Sequence, residues 1–177
     1  MENINVKNTL EAFKKYIIQQ SKSNLTKQDK NVSKALYNSL GGEVKVMPRS
    51  FELSFQMEEY GQYLDKGVKG FMSSAKAPNS PFKFGTGTGK KGGLRGAIDK
   101  WVVRKGLAGT RGKDGKFLSR KQMVSMISRS IYLKGTSETK FFRNAFEESF
   151  ETLDDTLVEK YGLDLETFLK FTLKEIN

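Results

Sequence analysis

The sequence predicts an α+β fold: a small antiparallel hairpin over about residues 43–57, covered by several amphipathic helices, with long Gly/Lys-rich loops. Three observations lead there. From Val44 to Met57, apolar and polar residues alternate on both sides of a proline turn, the period of a half-buried strand pair. Leu94, Ala97, Ile98, Trp101 and Val102 fall at the spacing of one helical face. Residues 67–93 and 106–117 break the periodic pattern with glycine, lysine and serine, the composition of extended basic loops.

Taken in order, Asn8-Thr-Leu-Glu11 has the form of a capping box and predicts a helix start. Leu10, Phe13 and Ile17, joined by Tyr16, form its apolar face, and the pattern weakens at Ser21-Lys-Ser-Asn24. A short second helix is expected over Val32–Leu40, with Gly41-Gly42 as its stop. In the hairpin, Val44 and Val46 face one way, as do Phe51, Leu53, Phe55 and Met57, and Pro48 suits a tight turn. Two strands rarely stand alone, so helices must cover the apolar face. Glu58-Glu59 open a short helix holding Tyr60, Tyr63 and Leu64, and Gly67 ends it.

After the first basic loop comes the Leu94–Val102 helix, with Arg104 and Lys105 in its last turn and Gly106 beyond. Ser119 caps a helix carrying Met123, Met126, Ile127 and Ile131 to Gly135. A further helix runs from near Thr139, with Phe142, Ala145, Phe146, Ser149, Phe150, Leu153 and Leu157 on one face, until Gly162 breaks it. Asp164 caps a C-terminal helix over 163–177. The chain's 177 residues suit a single domain, 1–177, long enough to bury a core.

Composition removes several chemistries. Cysteine and histidine are both absent, so thiol nucleophiles, thiolate metal sites and histidine-based catalysis are excluded. No run reaches the roughly 20 apolar residues of a membrane helix, and Met1-Glu-Asn-Ile-Asn-Val6 has neither the basic start nor the apolar block of a signal peptide. Charge is uneven. Residues 66–121 hold 15 Lys/Arg against 2 Asp/Glu, while residues 138–177 hold 5 against 10. Such polarity suits nucleic acid, or copies of the chain packed head to side.

Two motifs fail on spacing. Gly85-Thr-Gly-Thr-Gly89-Lys90-Lys91 lacks the four-residue interval of a phosphate loop, and Lys91 stands where a Ser or Thr would hold magnesium. Glu138-Thr-Lys140 resembles half of a nuclease acid/lysine pair, but its expected upstream aspartate is replaced by Asp114 in a glycine loop. No catalytic constellation, cofactor site or metal site follows, and the chain reads as a non-enzyme. The serious candidates are basic: Lys83, Lys90, Lys91, Arg95, Arg104, Lys105, Arg111, Lys113 and Lys116, interleaved with Phe71, Phe82 and Phe84. These residues, with Tyr60 and Tyr63, form the candidate subunit interface or DNA-channel surface. The cations could meet phosphates. The phenylalanines could stack on bases or, as the stronger expectation, anchor into protein.

The order of motifs resembles a known family. Leu36-Tyr-Asn-Ser-Leu40 is followed by the Val44–Met57 hairpin, then by Tyr60-Gly-Gln-Tyr63-Leu64-Asp65-Lys66-Gly67. Later come Ile131-Tyr-Leu-Lys-Gly135 and Phe141-Phe142-Arg-Asn-Ala145-Phe146. Across residues 8–155 this series is similar to the tail-completion, or head-to-tail joining, proteins of tailed bacteriophages. The chain departs from them in Leu64-Asp65-Lys66-Gly67, where an aromatic usually precedes the glycine, in its longer basic insertion, and in its extra C-terminal helix.

The resemblance implies a virion structural protein. It would form a homo-oligomeric ring at the neck or upper tail, joining the portal side of the head to the tail around a DNA channel. Its partners would be other phage neck, portal-side and tail proteins, with DNA in the channel as a further candidate and no membrane. The implied location is the virion, and the host cytoplasm during assembly. The alternative is a stand-alone basic nucleic-acid-binding protein.

Overall fold

The computed structural model describes residues 4–47, 50–87, 93–107, 110–112, 115–151 and 153–175, with backbone alone at 154 and 167–175. In chain order the elements are α1 (Ile4–Lys27), α2 (Ala35–Ser39), β1 (Gly41–Met47), β2 (Ser50–Gln56), α3 (Tyr60–Lys66) and β3 (Val68–Lys69). They continue with α4 (Gly93–Arg104), α5 (Arg120–Lys134), β4 (Gly135–Thr136), α6 (Arg143–Phe150) and α7 (Leu153–Glu175). The strands form two antiparallel pairs, β1–β2 and β3–β4. The fold is α+β, the class expected from the hairpin and the helical periodicities. No helix among the described residues is long and apolar enough to cross a membrane.

The chain divides into two compact units. The first comprises residues 1–28, 37–58 and 141–177, and the second residues 29–36 and 59–140.

In the first unit α1 buries Val6, Leu10, Phe13, Ile17, Ser21 and Leu25. Steps of three and four residues put them on one stripe, so the face runs from Val6 to Leu25 rather than fading at Ser21. Tyr16 lies off the stripe and is exposed. The helix begins at Ile4, so the proposed start at Asn8 is corrected. Asn8 lies inside the helix, and Glu11 pairs with Lys14 one turn on, at 2.6 Å. That hydrogen bond holds the Glu11 carboxyl below its usual range.

The hairpin forms where it was expected. Val44 faces Leu53, and Val46 faces Phe51. Val44, Leu53 and Phe55 pack against the buried set Val6, Leu10, Phe13, Ile17 and Leu153. Gly41 and Gly42 open the strand instead of ending a helix, and α2 is one turn, Ala35–Ser39. Gly42 is there for space: a Cβ would meet the Ser54 carbonyl at 2.8 Å and Lys14 Cγ at 3.1 Å. The turn residues Pro48 and Arg49 lie outside the described residues.

The C-terminal half of this unit breaks in a different place from the one expected. α6 stops at Phe150 and α7 runs from Leu153 through Gly162 to Glu175. Gly162 in a helix costs about 1 kcal/mol relative to alanine, and its position faces open space. Packing offsets that cost. Phe142, just before α6, and Phe146 within it meet Phe55 edge-on at 5.2 and 6.1 Å. Past the break, Leu153 is buried and Leu157 packs against the same core. Residues 163–175 therefore belong to α7 and are not a separate helix. Asp164 does not start one. Its carboxylate accepts from the backbone N–H groups of Asn5 (3.3 Å) and Val6 (3.2 Å), and from Asn5 Nδ2 (2.8 Å). It caps α1, a helix 158 residues away in sequence.

The second unit is built on α4 and α5. Val102, Met123 and Val124 are buried together, flanked by Ile98, Leu107, Leu118 and Ile127. Both helix ends carry the expected signals. Gly106 (φ 63°) donates to the Val103 carbonyl, and Leu107 donates to that of Val102, a Schellman stop whose Leu107 side chain joins the core. Ser119 and Gln122 form a reciprocal capping box at the start of α5. Arg120 donates from both Nε and Nη2 to the two oxygens of Asp99, tying the helices at the surface.

Candidate functional site

The basic, aromatic stretch after α3 is folded, not extended, over residues 67–85. β3 pairs with β4, with Val68 opposite Thr136 and Lys69 opposite Gly135. Lys69 also exchanges backbone hydrogen bonds with Phe82 and Phe84, at 2.8 and 2.9 Å. Phe71 and Met72 donate to the carbonyls of Tyr132 and Leu133 at the end of α5. Ser80 is buried, donates to the Gly67 carbonyl (2.7 Å) and accepts from the Phe82 N–H (3.1 Å). Ala77 is fully buried. The buried Ser80 side chain thus finds partners on both sides, as a polar group held against protein requires.

Glycine makes the close approach possible. A Cβ on Gly70 would meet the Leu133 carbonyl at 2.2 Å, and one on Gly135 (φ 76°) would meet the Val68 carbonyl at 2.2 Å. Gly67 (φ 68°) is hemmed in by Glu138 N, the Thr136 carbonyl and Ala77. So Gly67 both ends α3 and allows the segment to dock. The second loop is also closed where it is described: Arg111 bridges Phe117, and Gly112 donates to the Lys116 carbonyl at 2.8 Å.

The sequence candidates fall into groups. Tyr60 and Tyr63 are 45% and 41% exposed, while Gly61 and Asp65 take the buried side of α3. Both tyrosines therefore stand on the outer side of the helix. Asp65 is held on the buried side through its backbone, whose carbonyl accepts from Thr139 (3.2 Å) and Lys140 (3.0 Å). Tyr63 instead meets Phe82 at 4.4 Å. Phe71 stacks on Tyr132 at 5.5 Å, and Phe84 lies 6.0 Å from the same ring.

Among the cations, Lys83, Arg95, Arg104, Arg111 and Lys116 are exposed. Lys105 is bound to Asp29 at 2.5 Å and holds that carboxyl below its usual range. Arg111 lies over the Phe117 ring at 4.7 Å. Lys90, Lys91 and Lys113 lie outside the described residues. Glu138 and Lys140 pair with each other at 3.2 Å. Among the described residues no three His, Cys, Asp or Glu side chains converge as a metal site would need.

One concavity gathers several of these groups. A groove of about 770 Å³ is lined by Phe84, Gly85, Gly87, Gly93, Leu94, Arg95, Ser125, Ser128, Arg129 and Tyr132. Ser125, Ser128, Arg129 and Tyr132 follow at i, i+3, i+4 and i+7 along α5, one helical stripe beside the apolar one. Gly93, Leu94 and Arg95 are the first turn of α4. Gly85 (φ 90°) lets Phe71 and Tyr132 close on it, where a Cβ would meet Phe71 Cδ2 at 2.5 Å.

Sequence reasoning named Phe84 and Arg95 but missed Ser125, Ser128, Arg129 and Tyr132. The polar stripe of α5 was the available signal. Scans against protein-family models, curated proteins and solved structures find no match to this chain.

Proposed function

We propose that the chain is a structural subunit of a phage virion, a ring-forming neck or tail-completion component that joins the portal side of the head to the tail around the DNA channel. The observation that carries this reading is apolar surface left open at the outer end of the hairpin. Val46 and Phe51, cross-strand partners, are exposed, and so is Met47 beside them. A strand pair that ends in uncovered valine, methionine and phenylalanine suits contact with another subunit.

Charge supports the same reading. The basic residues 66–121 and the acidic residues 138–177 are complementary, so copies can pair head to side, and a heterologous contact that closes makes a ring. Tyr60, Tyr63, Phe71 and the exposed lysines and arginines would serve that contact or the channel wall. The motif order from Leu36 to Phe146 adds the resemblance to tail-completion proteins.

Native mass spectrometry of the full chain, with and without a Val46→Asp/Phe51→Asp double substitution, tests the reading. The expected result is a closed oligomer for the natural chain and a folded monomer for the variant. A natural chain that stays monomeric at high concentration and is absent from purified particles overturns it.

A further inference from the structure

The ring reading leaves the groove of the second unit without a task, and four observations converge there. First, the groove holds two guanidinium groups, Arg95 and Arg129, both exposed and neither paired with a carboxylate among the described residues. Their neighbours differ: Arg120 is committed to Asp99, and Lys105 to Asp29. Second, the opening turn of α4, a helix of 12 residues, forms one edge. The first turn of a helix offers N–H groups that its own carbonyls do not use, and its positive dipole end favours an anion.

Third, Ser128 belongs to the groove wall, is 5% exposed, and its hydroxyl has no hydrogen-bond partner among the described residues. A buried hydroxyl is rarely left so, because desolvation without a bond is costly. A bound ligand would supply the missing partner. Fourth, Phe84 and Tyr132 form an aromatic wall, with Phe71 stacked behind Tyr132. The volume of about 770 Å³ is far larger than one oxyanion needs and suits a small organic ligand.

We infer that this groove is a nucleotide site, which takes a phosphate ester against Arg95, Arg129 and the start of α4, and its planar base against Phe84 and Tyr132. Bidentate guanidinium contacts select phosphate oxygens, and base–aromatic contact tolerates any sequence. The ligand chemistry is the same for a free nucleotide and for a nucleotide within a single strand. The inference rests on the groove alone and stands whether or not the chain forms rings.

The test is amide NMR of the full chain with thymidine 5′-monophosphate, a thymidylate decamer, inorganic phosphate, thymidine and an acidic peptide. Thymidine monophosphate and the decamer should shift Arg95, Ser125, Ser128, Arg129 and Tyr132. Tighter binding of the decamer identifies a strand as the source, and equal binding per site identifies a free nucleotide. Arg95→Glu/Arg129→Glu should weaken binding at least about tenfold. Ser128→Ala should weaken it about threefold while the thermal midpoint holds or rises. Should the charge-reversed double variant melt early, Arg129→Gln alone carries the comparison. No shift with either nucleotide, equal binding of thymidine and its monophosphate, phosphate binding as tightly as the nucleotide, or preference for the acidic peptide overturns the inference.

Discussion

Single side chains settle several of the local choices. Asp164 satisfies two backbone donors in the first turn of α1, where the dipole also favours a carboxylate. Asp164→Ala should lower stability by about 1–2 kcal/mol, read by thermal or urea unfolding, and Asp164→Asn should recover part of it. Gly135 illustrates a purely steric demand. Its positive φ and the 2.2 Å approach to Val68 O leave no room for a methyl group. Gly135→Ala should cost about 3 kcal/mol or more, from strain and overpacking together. Ser128 works in the other direction. Removing its unpartnered hydroxyl should raise the stability of the ligand-free chain by about 1 kcal/mol.

Asp99 is a residue whose pH behaviour follows from its partner. The hydrogen bond from Arg120, rather than any burial, holds its carboxyl below the usual range. Because the folded-state value lies below the unfolded one, the unfolded chain takes up this proton first as pH falls. The contribution of the pair is therefore complete at neutral pH and is lost as pH falls from the ordinary carboxylate range through the folded value. Carboxyl-carbon NMR should show the Asp99 midpoint move upward in Arg120→Gln. An unmoved midpoint would show that the pair does not form in solution.

At the scale of elements, packing overrides local propensity in two places. A glycine inside α7 is tolerated because the packing of Leu153 and Leu157 offsets its cost, and the break falls after Phe150, where no strong breaker stands. On either side of the break, Phe142 and Phe146 serve the hairpin while Leu153 and Leu157 join the same core as α1. Phe141, fully buried just before α6, also presents its carbonyl to Asn24 Nδ2 at 3.0 Å. Phe141→Ala should cost about 3–5 kcal/mol in equilibrium unfolding, enough to threaten a domain of ordinary stability.

The segment 67–85 is the other override. Its composition reads as loop, yet its N–H groups at Lys69, Phe71, Met72 and Phe84 are all bonded to backbone carbonyls. The same glycines that suggest flexibility are what let it lie against β4 and the end of α5.

For the whole molecule, each unit has its own core, α1 with the hairpin in one and α4 with α5 in the other. Charge acts at this scale. The basic middle and acidic C-terminal part of the sequence make any association between copies electrostatic in part. Under the proposed ring function, self-association followed by sedimentation should weaken as salt rises from about 0.05 to about 0.5 M, as the screening length shrinks. An association insensitive to salt would leave the apolar hairpin end as its main support.

The sequence by itself determined the class, the hairpin, and the capped ends of α4 and α5. Those rest on period-two and period-3.6 patterning, on Ser119 with Gln122, and on Gly106 and Gly135, all signals that act within a few residues. It also removed histidine and cysteine chemistry outright. Only the tertiary structure decided that Asp164 caps α1, that the tyrosines of α3 face out while Asp65 faces in, that residues 67–85 dock instead of trailing, and that Arg95, Ser128, Arg129 and Tyr132 share one groove. Each of those depends on partners far away in the chain. A carboxylate has the same local look whether it caps its own helix or another, and a glycine looks the same in a loose loop and in a tight contact. The difference is set by what packs against it.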